Sequence, residues 1–395
     1  MTARTDIAGA SNYALQSAIS AYADEAYTNA KKLSGTGIVG SNPDIDTSTE
    51  TYVGQVRWFK PLSATVNVAS LDTASAGAKT NFASDFLNYV KTVRTHGAEK
   101  VNMAQVVTQV DGLAKIGRDF AETRAQDESD AILSILKGVA LSEALNGAAA
   151  ASGATGLGGQ TFDNDPTSKR YGFYVDLGAS KVVTAATAGN QGAQRAEGFL
   201  QAFGMAYKDY EPDYAYLVTS PEVMASLRSA NLVDQTSVVE GNVTFNTIFG
   251  GKFRLIQTRA SQGFASADLT KINTGAGVDI VGTKTSFIVL PGALAMENLA
   301  VPDSVEMFRD GNAYNGGGST SIWYRWGYVG HPAGYNWAGS QDAFPSNAAY
   351  GYAIEGGTPK ALSAVASGTL ASTTGTWTRK ASSALSLGIL PVFHS

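Results

Sequence analysis

Three histidines, His96, His331 and His394, are the residues of this 395-residue sequence best suited to proton transfer or metal binding near neutral pH. They lie far apart and show no metal-ligand spacing. Cysteine is absent, which excludes disulfides, thiolate nucleophiles and cysteine–zinc sites. A hydrolase triad needs a serine, a histidine and an acid that converge. Only His331 stands in a motif-like setting, and His331-Pro332-Ala333-Gly334 reads as a turn, because proline fixes φ and glycine permits a positive one. Carboxylates are spread along the chain and no pair stands out. No catalytic residue is assigned.

Two glycine-rich stretches invite a phosphate. Gly35, Gly37 and Gly40 match G-x-G-x-x-G, but they follow a helical pattern instead of a strand, and Asn42, Pro43 and Asp44 interrupt any helix after them. Gly147 to Gly159 is not followed by Gly-Lys-Ser/Thr and reads as a linker. No cofactor-binding residue is assigned. The acidic run from Asp44 to Glu50 lacks the spacing of a calcium loop and reads as a solvated linker. Asp163 and Asp165 read as turn residues, so no metal ligand is assigned either.

The elements that would hold a site are easier to read. Asp111 to Leu145 is expected to be one helix, with Asp111 as its N-cap and Asn146–Gly147 ending it in a left-handed turn. At about 1.5 Å per residue it would be a rod of roughly 50 Å. Leu113, Ile116 and Phe120, then Ile132, Ile135, Leu136 and Val139, recur at helical spacing. Between them Glu122 to Asp130 is a polar band. Lys115–Asp119, Arg118–Glu122 and Arg124–Glu128 are i,i+4 opposite-charge pairs. A helix packed at both ends and wet in the middle suits an elongated subunit; a solvated helix across the back of a large enzyme is the alternative.

Before this helix, Ser11 to Lys32 carries a helical stripe of Leu15, Ile19, Tyr22 and Ala26, and Val53 to Val68 reads as extended chain anchored by Val56, Trp58 and Phe59. From Pro61 to Val107 the pattern is poor, with a short helix expected near Asn81 to Val93 and a return through Val101 to Val107. So long an excursion in a compact domain is functional or disordered, and a projecting β-hairpin-like arm is one use for it. Its few large apolar side chains cannot make a core of their own. It is therefore expected to lie over a neighbouring subunit, and deleting residues 70–100 is expected to spare subunit folding.

After the helix comes a polar turn, Asp163 to Arg170, and from about Asn190 the texture is α/β. Gln191 to Tyr207 is expected to be helical. Tyr214 to Thr219, Val243 to Ile248, Phe253 to Thr258, Ser286 to Leu290 and Val305 to Arg309 read as strands, with Gly250–Gly251 as a turn. Ser220 caps a short helix, Pro221 to Arg228, with proline at the favoured first position. Gly316 to Gly318 is a loop. Ile322 to Val329 is strongly β-prone. Period-two geometry puts Trp323, Arg325 and Gly327 on one face and Tyr324, Trp326 and Tyr328 on the other, the latter towards the long helix. A Ser/Thr/Ala/Gly-rich stretch, Gly356 to Thr376, leads through Trp377 to an apolar strand, Leu385 to Val392.

Charged residues make up 16% of the chain, against ~25% in a typical soluble protein. Such a surface suits a protein covered by partners, since charge is depleted at interface cores; a low-charge monomer is the alternative. The net charge of −5 and scattered Lys and Arg argue against a nucleic-acid-reading groove. No apolar run approaches the ~20 residues that span a membrane, and the N-terminus is not a secretory signal.

The order of these parts, and several motifs late in the chain, resemble the major capsid protein of tailed double-stranded DNA bacteriophages (Caudoviricetes). Gly317-Gly318-Ser319-Thr320, followed by Trp323-Tyr324-Arg325-Trp326-Gly327-Tyr328-Val329-Gly330-His331-Pro332-Ala333-Gly334-Tyr335-Asn336-Trp337, is similar to the aromatic strand and His-Pro-x-Gly-aromatic turn of one such group. Thr247 to Ile256 resembles its strand–Gly–strand hairpin, Val289-Leu290-Pro291-Gly292-Ala293 its strand ending in Gly-Ala, and Trp377-Thr378-Arg379 its approach to the closing strand. The resemblance implies an α+β, HK97-like capsid fold. Its parts would be an N-terminal arm (1–60), an extended loop (61–108), a peripheral domain (109–184) with a spine helix (111–145), an axial domain (185–305), and peripheral strands with the C-terminal closing strand (306–395).

It also implies a structural protein, not an enzyme, with no cofactor. Such a chain assembles as hexamers and pentamers into an icosahedral shell around phage DNA, located in the virion and built in the host bacterial cytoplasm. The implied partners are further copies of the chain, packaged DNA contacted without sequence preference, and decoration, scaffold and portal proteins; no membrane is implied. Some relatives carry a Lys–Asn isopeptide cross-link, and no motif places those residues here. Many lose an N-terminal segment on maturation; this chain, which begins at Met1, is expected to keep it. An encapsulin-like compartment, with the same fold around cargo proteins, is the alternative, although such chains are usually shorter and lack so long a Ser/Thr-rich tail. A surface-array or tail protein ranks third.

Overall fold

The computed structural model describes residues 33–59, 84–101, 112–148, 173–176, 212–240, 243–258, 284–380 and 387–394, with short pieces at 198–200, 202–204 and 206–207 and single residues at 268 and 272. The expectations for Ser11 to Lys32, for 60–83 and 102–111, for Asp163 to Arg170 and for most of Gln191 to Tyr207 lie outside the described residues.

The first sheet is organised around one aromatic strand. β1 (Val39–Gly40), β2 (Val53–Phe59), β3 (Ser84–Val101), β10 (Leu294–Asn298), β11 (Val305–Asp310) and β12 (Ser319–Pro332) form it in the order β1-β10-β12-β3-β2, with β11 also paired to β12. β12 is 14 residues long; β-prone residues fill its middle, from Ile322 to Val329, and it carries three antiparallel partners. β3, 18 residues long, divides its pairing: Ser84 to Val90 run beside β2, and Lys91 to Val101 beside β12. β2 and β3 thus form an antiparallel hairpin closed by residues 60–83, in keeping with a hairpin-like excursion.

Two expectations fail on β3. The short helix near Asn81 to Val93 is strand from Ser84 on, since Leu87, Tyr89 and Val90 are buried through partners distant in sequence. Deleting residues 70–100 would remove the strand between β12 and β2, so it would not spare subunit folding.

The long helix α1 (Gly112–Ala148) has 37 residues, about 55 Å at 1.5 Å per residue. Asn146–Gly147 does not stop it; the helix continues to Ala148. From Ala131 to Leu145 almost every side chain is buried, because this half is enclosed by β12 and the C-terminal segments. In the other half Arg118, Asp119, Glu122 and Gln126 are exposed while Phe120, Ala121, Ala125 and Glu128 are buried. The expected wet middle is therefore wet on one face only. Gly138 allows the closest approach: a Cβ there would lie 1.9 Å from the Tyr350 carbonyl oxygen.

The second sheet has seven strands in the order β4 (Val175–Asp176), β18 (Ile389–His394), β9 (Lys284–Val289), β5 (Ala215–Thr219), β8 (Phe253–Gln257), β7 (Val243–Ile248) and β6 (Val233–Glu240). β5, between β9 and β8, is buried at all five positions, so both of its faces are covered. The short helix α2 (Pro221–Ser229) is capped by Ser220, whose hydroxyl accepts from the Val223 N–H at 3.4 Å. The β7–β8 turn uses positive φ at Phe249, Gly250 and Gly251. The closing strand β18 lies between β9 and β4, so it completes this sheet and not the one that holds β12. Two small sheets, β13 (Tyr335–Trp337) with β17 (Trp377–Arg379), and β14 (Ala353–Glu355) between β15 (Thr358–Lys360) and β16 (Thr374–Gly375), lie along the enclosed half of α1. The architecture is α+β.

Candidate interaction surface

The inner face of β12 is a packed polar–aromatic seam. Tyr324, Trp326 and Tyr328 are 3%, 5% and 0% exposed and face α1, as the alternation requires. Phe120 stacks on Tyr324 with ring centroids 5.5 Å apart. Asp127 Oδ2 accepts from Trp326 Nε1 and from the Tyr328 hydroxyl, each at 3.0 Å, while Asn347 Nδ2 donates to Oδ1 at 2.8 Å. Arg124 reaches Glu128 at 3.1 Å, the Tyr324 hydroxyl at 3.1 Å and Asn298 at 3.0 Å. The charged band of the helix is therefore the set of partners that indole N–H and phenol O–H groups need when buried. Burial raises the Tyr328 hydroxyl pKa well above the ordinary value, with Tyr350 and Asp127 adding to the rise, so it stays a neutral donor.

The outer face of the same sheet is half strapped and half bare. The strap is the acidic run. Ile45 is buried with Val56, Tyr89, Leu299 and Val329 in a small second core. The Lys91 ammonium, fully buried, donates to Asp46 Oδ2 at 2.7 Å and to the Ser48 carbonyl at 2.7 Å. This hydrogen bond, with those from Ser48, holds the Asp46 carboxyl down to about 2. The run is thus an anchor, not the solvated linker expected. On the bare half Phe308 is 65% and Trp323 46% exposed, and Tyr314, 59% exposed, stands on the loop between β11 and β12. The Trp323 ring lies against β3 where Gly97 leaves room; a Cβ at Gly97 would meet it at 2.8 Å. Arg325 pairs with Glu306 at 2.5 Å beside it. Among the described strands β11 pairs only with β12.

The residues considered for chemistry are not brought together. His96 meets Phe120 edge-on at 5.3 Å, His331 meets Trp377 at 5.9 Å, and His394 meets Phe199 at 5.4 Å. His331 lies within β12, before the turn at Gly334. Burial holds its imidazole down to about 4, and its Nε2 has no hydrogen-bond partner. Sequence reading missed one pair: Ser286 Oγ lies 2.7 Å from His394 Nε2 and 2.8 Å from Thr219 Oγ1. The only signal for it is the β9–β18 pairing across about 100 residues. Ser286 and His394 have zero exposure, so the pair is a core contact closed to a substrate.

Gly35, Gly37 and Gly40 lead from a 3-10 turn into β1, not from a strand into a helix, and Gly40 gives close passage past Gly292. Asp163 and Asp165 lie outside the described residues. Glu143, fully buried on α1, accepts from the Phe173 N–H at 2.6 Å and faces Arg379 at 3.8 Å, and burial raises its pKa. Among the described residues, no group of three or more His, Asp or Glu side chains could hold a metal ion, and no helix is long and apolar enough to cross a membrane.

No protein-family model matches the chain, and no curated protein matches it. Among solved structures it is similar to the capsid of Ralstonia phage GP4, at 13% identity, with 75% of this chain and 83% of that chain covered and a TM-score of 0.44. It is also similar to the acidic stable capsid structure of Helicobacter pylori bacteriophage KHP30, at 8% identity, 91% and 89% coverage and a TM-score of 0.47. For the mature capsid of bacteriophage PhiM1 the values are 13%, 73%, 81% and 0.43.

Proposed function

We propose that this chain is a structural shell subunit, the HK97-type major capsid protein of a tailed double-stranded DNA phage. The observation that carries the reading is the order of elements in space. A hairpin, β2–β3, leads to a 37-residue helix; the chain then builds an α/β sheet and returns through β10 to β12 beside the hairpin. That is the order the late-chain motifs imply, and the bare aromatic half-face supplies a surface for neighbouring copies.

In this reading residues 1–60 are the arm, 61–108 the extended loop around the β2–β3 hairpin, 109–184 the peripheral domain and 185–305 the axial domain. Residues 306–395 return to the peripheral side before β18 closes the second sheet. The chain acts by assembly, as hexamers and pentamers in an icosahedral shell of the virion, formed in the host cytoplasm. It carries no enzymatic step. Packaged DNA touches its inner surface without sequence preference, through scattered Lys and Arg, and that contact weakens with salt as counterions are released. Decoration, scaffold and portal proteins bind the finished or forming shell.

The test is direct. Purified protein in mild buffer should form closed particles of uniform diameter, each contact burying at least about the ~1,600 Å² of a standard interface. Light scattering that finds a stable monomer or dimer at micromolar concentration would refute the reading. Particles from infected cells should contain DNA; protein-filled particles would make the chain a cargo compartment.

A further inference from the structure

The chain holds two Asn-Gly pairs, and the fold treats them differently. Such a pair is suited to attack by the backbone on its own side chain, because asparagine is labile and glycine has no Cβ to shield its peptide nitrogen. Asn146–Gly147 lies inside α1, where the helical ladder occupies the Gly147 N–H. Asn315–Gly316 lies in the loop between β11 and β12, and both residues are exposed. The turn there is fastened by the two glycines that follow: Gly317 donates to the Tyr314 carbonyl at 3.1 Å and Gly318 to that of Ala313 at 2.9 Å. Among the described residues, neither the Gly316 N–H nor the Asn315 side-chain amide has a hydrogen-bond partner. Apart from its chain neighbours, no heavy atom lies within 4 Å of the place a Cβ on Gly316 would take.

We propose that Asn315–Gly316 is a self-modifying site, at which the side-chain amide becomes a carboxylate without an enzyme. The Gly316 nitrogen, its proton taken by solvent base, attacks Asn315 Cγ. The bond from Cγ to Nδ2 breaks, and the nitrogen leaves as ammonia with a proton from solvent, which closes a five-membered succinimide. Water then opens the ring at either carbonyl, giving aspartate or, with the backbone rerouted through Cγ, isoaspartate. In sum, one water is consumed, one ammonia is released, and one negative charge is added to a chain of net charge −5. The new carboxylate stands on the loop that leaves Asp310 and carries the exposed Tyr314, at the bare half of the outer face. It weakens contact between neighbouring copies as the protein ages; this consequence, unlike the chemistry, rests on the shell reading.

Full-length protein kept in mildly alkaline buffer and mapped by mass spectrometry should show the Asn315 peptide heavier by about one dalton and split into aspartate and isoaspartate forms. Asn146 in the same sample should convert on the order of tenfold more slowly, since the helix holds nitrogen and side chain out of reacting position. Strong denaturant should bring the two rates together, and Asn315→Gln should abolish the change in its peptide. An Asn315 that converts no faster than Asn146 in the folded protein would overturn the proposal. For the consequence, Asn315→Asp should slow particle formation at low salt and approach the parent rate as salt screens the charge. Equal rates at low salt would remove the effect on assembly. A folded chain that forms no particles in either version would refute the shell reading and leave the mass result standing.

Discussion

The two faces of the first sheet are made by the same strand and finished in opposite ways. On the inner face Tyr324, Trp326 and Tyr328 each meet a helix side chain of matching shape or polarity. On the outer face the Trp323 ring passes close over Gly97 of β3, and nearly half of it remains in water. Aromatic content is alike; what differs is whether the polar ends find partners within the chain. The inner face is the subunit's own core. The outer face has the composition of a core but lacks its second half, which is what a surface made for association looks like.

The largest effect expected from breaking this contrast is on the inner side. Trp326→Ala should lower unfolding free energy by roughly 3–5 kcal/mol, measured by urea denaturation, or give insoluble protein. Trp326→Phe should cost less, about 1–3 kcal/mol, because an aromatic ring still fills most of the site, and the loss is the bond to Asp127 and part of the packing. A benign Trp326→Ala would mean that the two faces do not differ as described.

The strap comes next. Asp46→Ala leaves the buried Lys91 ammonium without its carboxylate, and a loss of about 1–3 kcal/mol is expected, below the fully buried limit because Asp46 is itself more than half exposed. The pair also sets an acid limit. The folded carboxyl sits near 2 against an ordinary 3.8, so its contribution is complete above about pH 4 and is lost as pH falls towards 2. Asp46→Asn should flatten that part of the stability curve.

His331 gives an effect at higher pH. Its folded value, about 4, is below the ordinary 6.5, so the unfolded chain takes the proton first; stability should decline from about pH 6.5 down to 4. His331→Gln should remove this slope and leave assembly largely intact. If the variant instead destroyed function in a soluble, folded protein, a chemical site would have to be sought there.

The smallest effect on stability belongs to Trp323→Ser, about 1 kcal/mol or less, since the side chain is only partly covered. The same change should slow or abolish particle formation followed by light scattering. Unchanged assembly would remove the outer face from the list of interfaces.

Much of this contrast can be read before folding is considered. The alternation from Ile322 to Val329 assigns the two faces, and the apolar spacing of Ile132, Ile135, Leu136 and Val139 marks the buried half of α1. The parts that cannot be read depend on distant partners. β3 lacks a local pattern because β2 and β12 bury it from different stretches of the chain. Asn146–Gly147 is a sound local stop signal, yet the helix runs one residue past it to Ala148. Lys91 stands among β-branched and apolar residues, an odd place for an ammonium, and nothing in the sequence pairs it with Asp46. No catalytic site was expected, and the two polar clusters that might have drawn one, at Asp127 and at His394, are visible only in three dimensions.

The register of β12 on β3 also bears on how the subunit is made. From Ser319↔Val101 to Val329↔Lys91, every rung joins residues roughly 220–240 apart in the chain. Contacts of such long range form slowly, because loop closure must precede any gain from pairing. Until they form, a strand carrying two tryptophans and two tyrosines presents both an open edge and uncovered rings, the combination that seeds aggregation. The hazardous interval in the life of this protein is therefore its maturation into a monomer. Lower growth temperature or added chaperone should raise the soluble yield of variants along this register, even where the finished subunits unfold at nearly the same urea concentration.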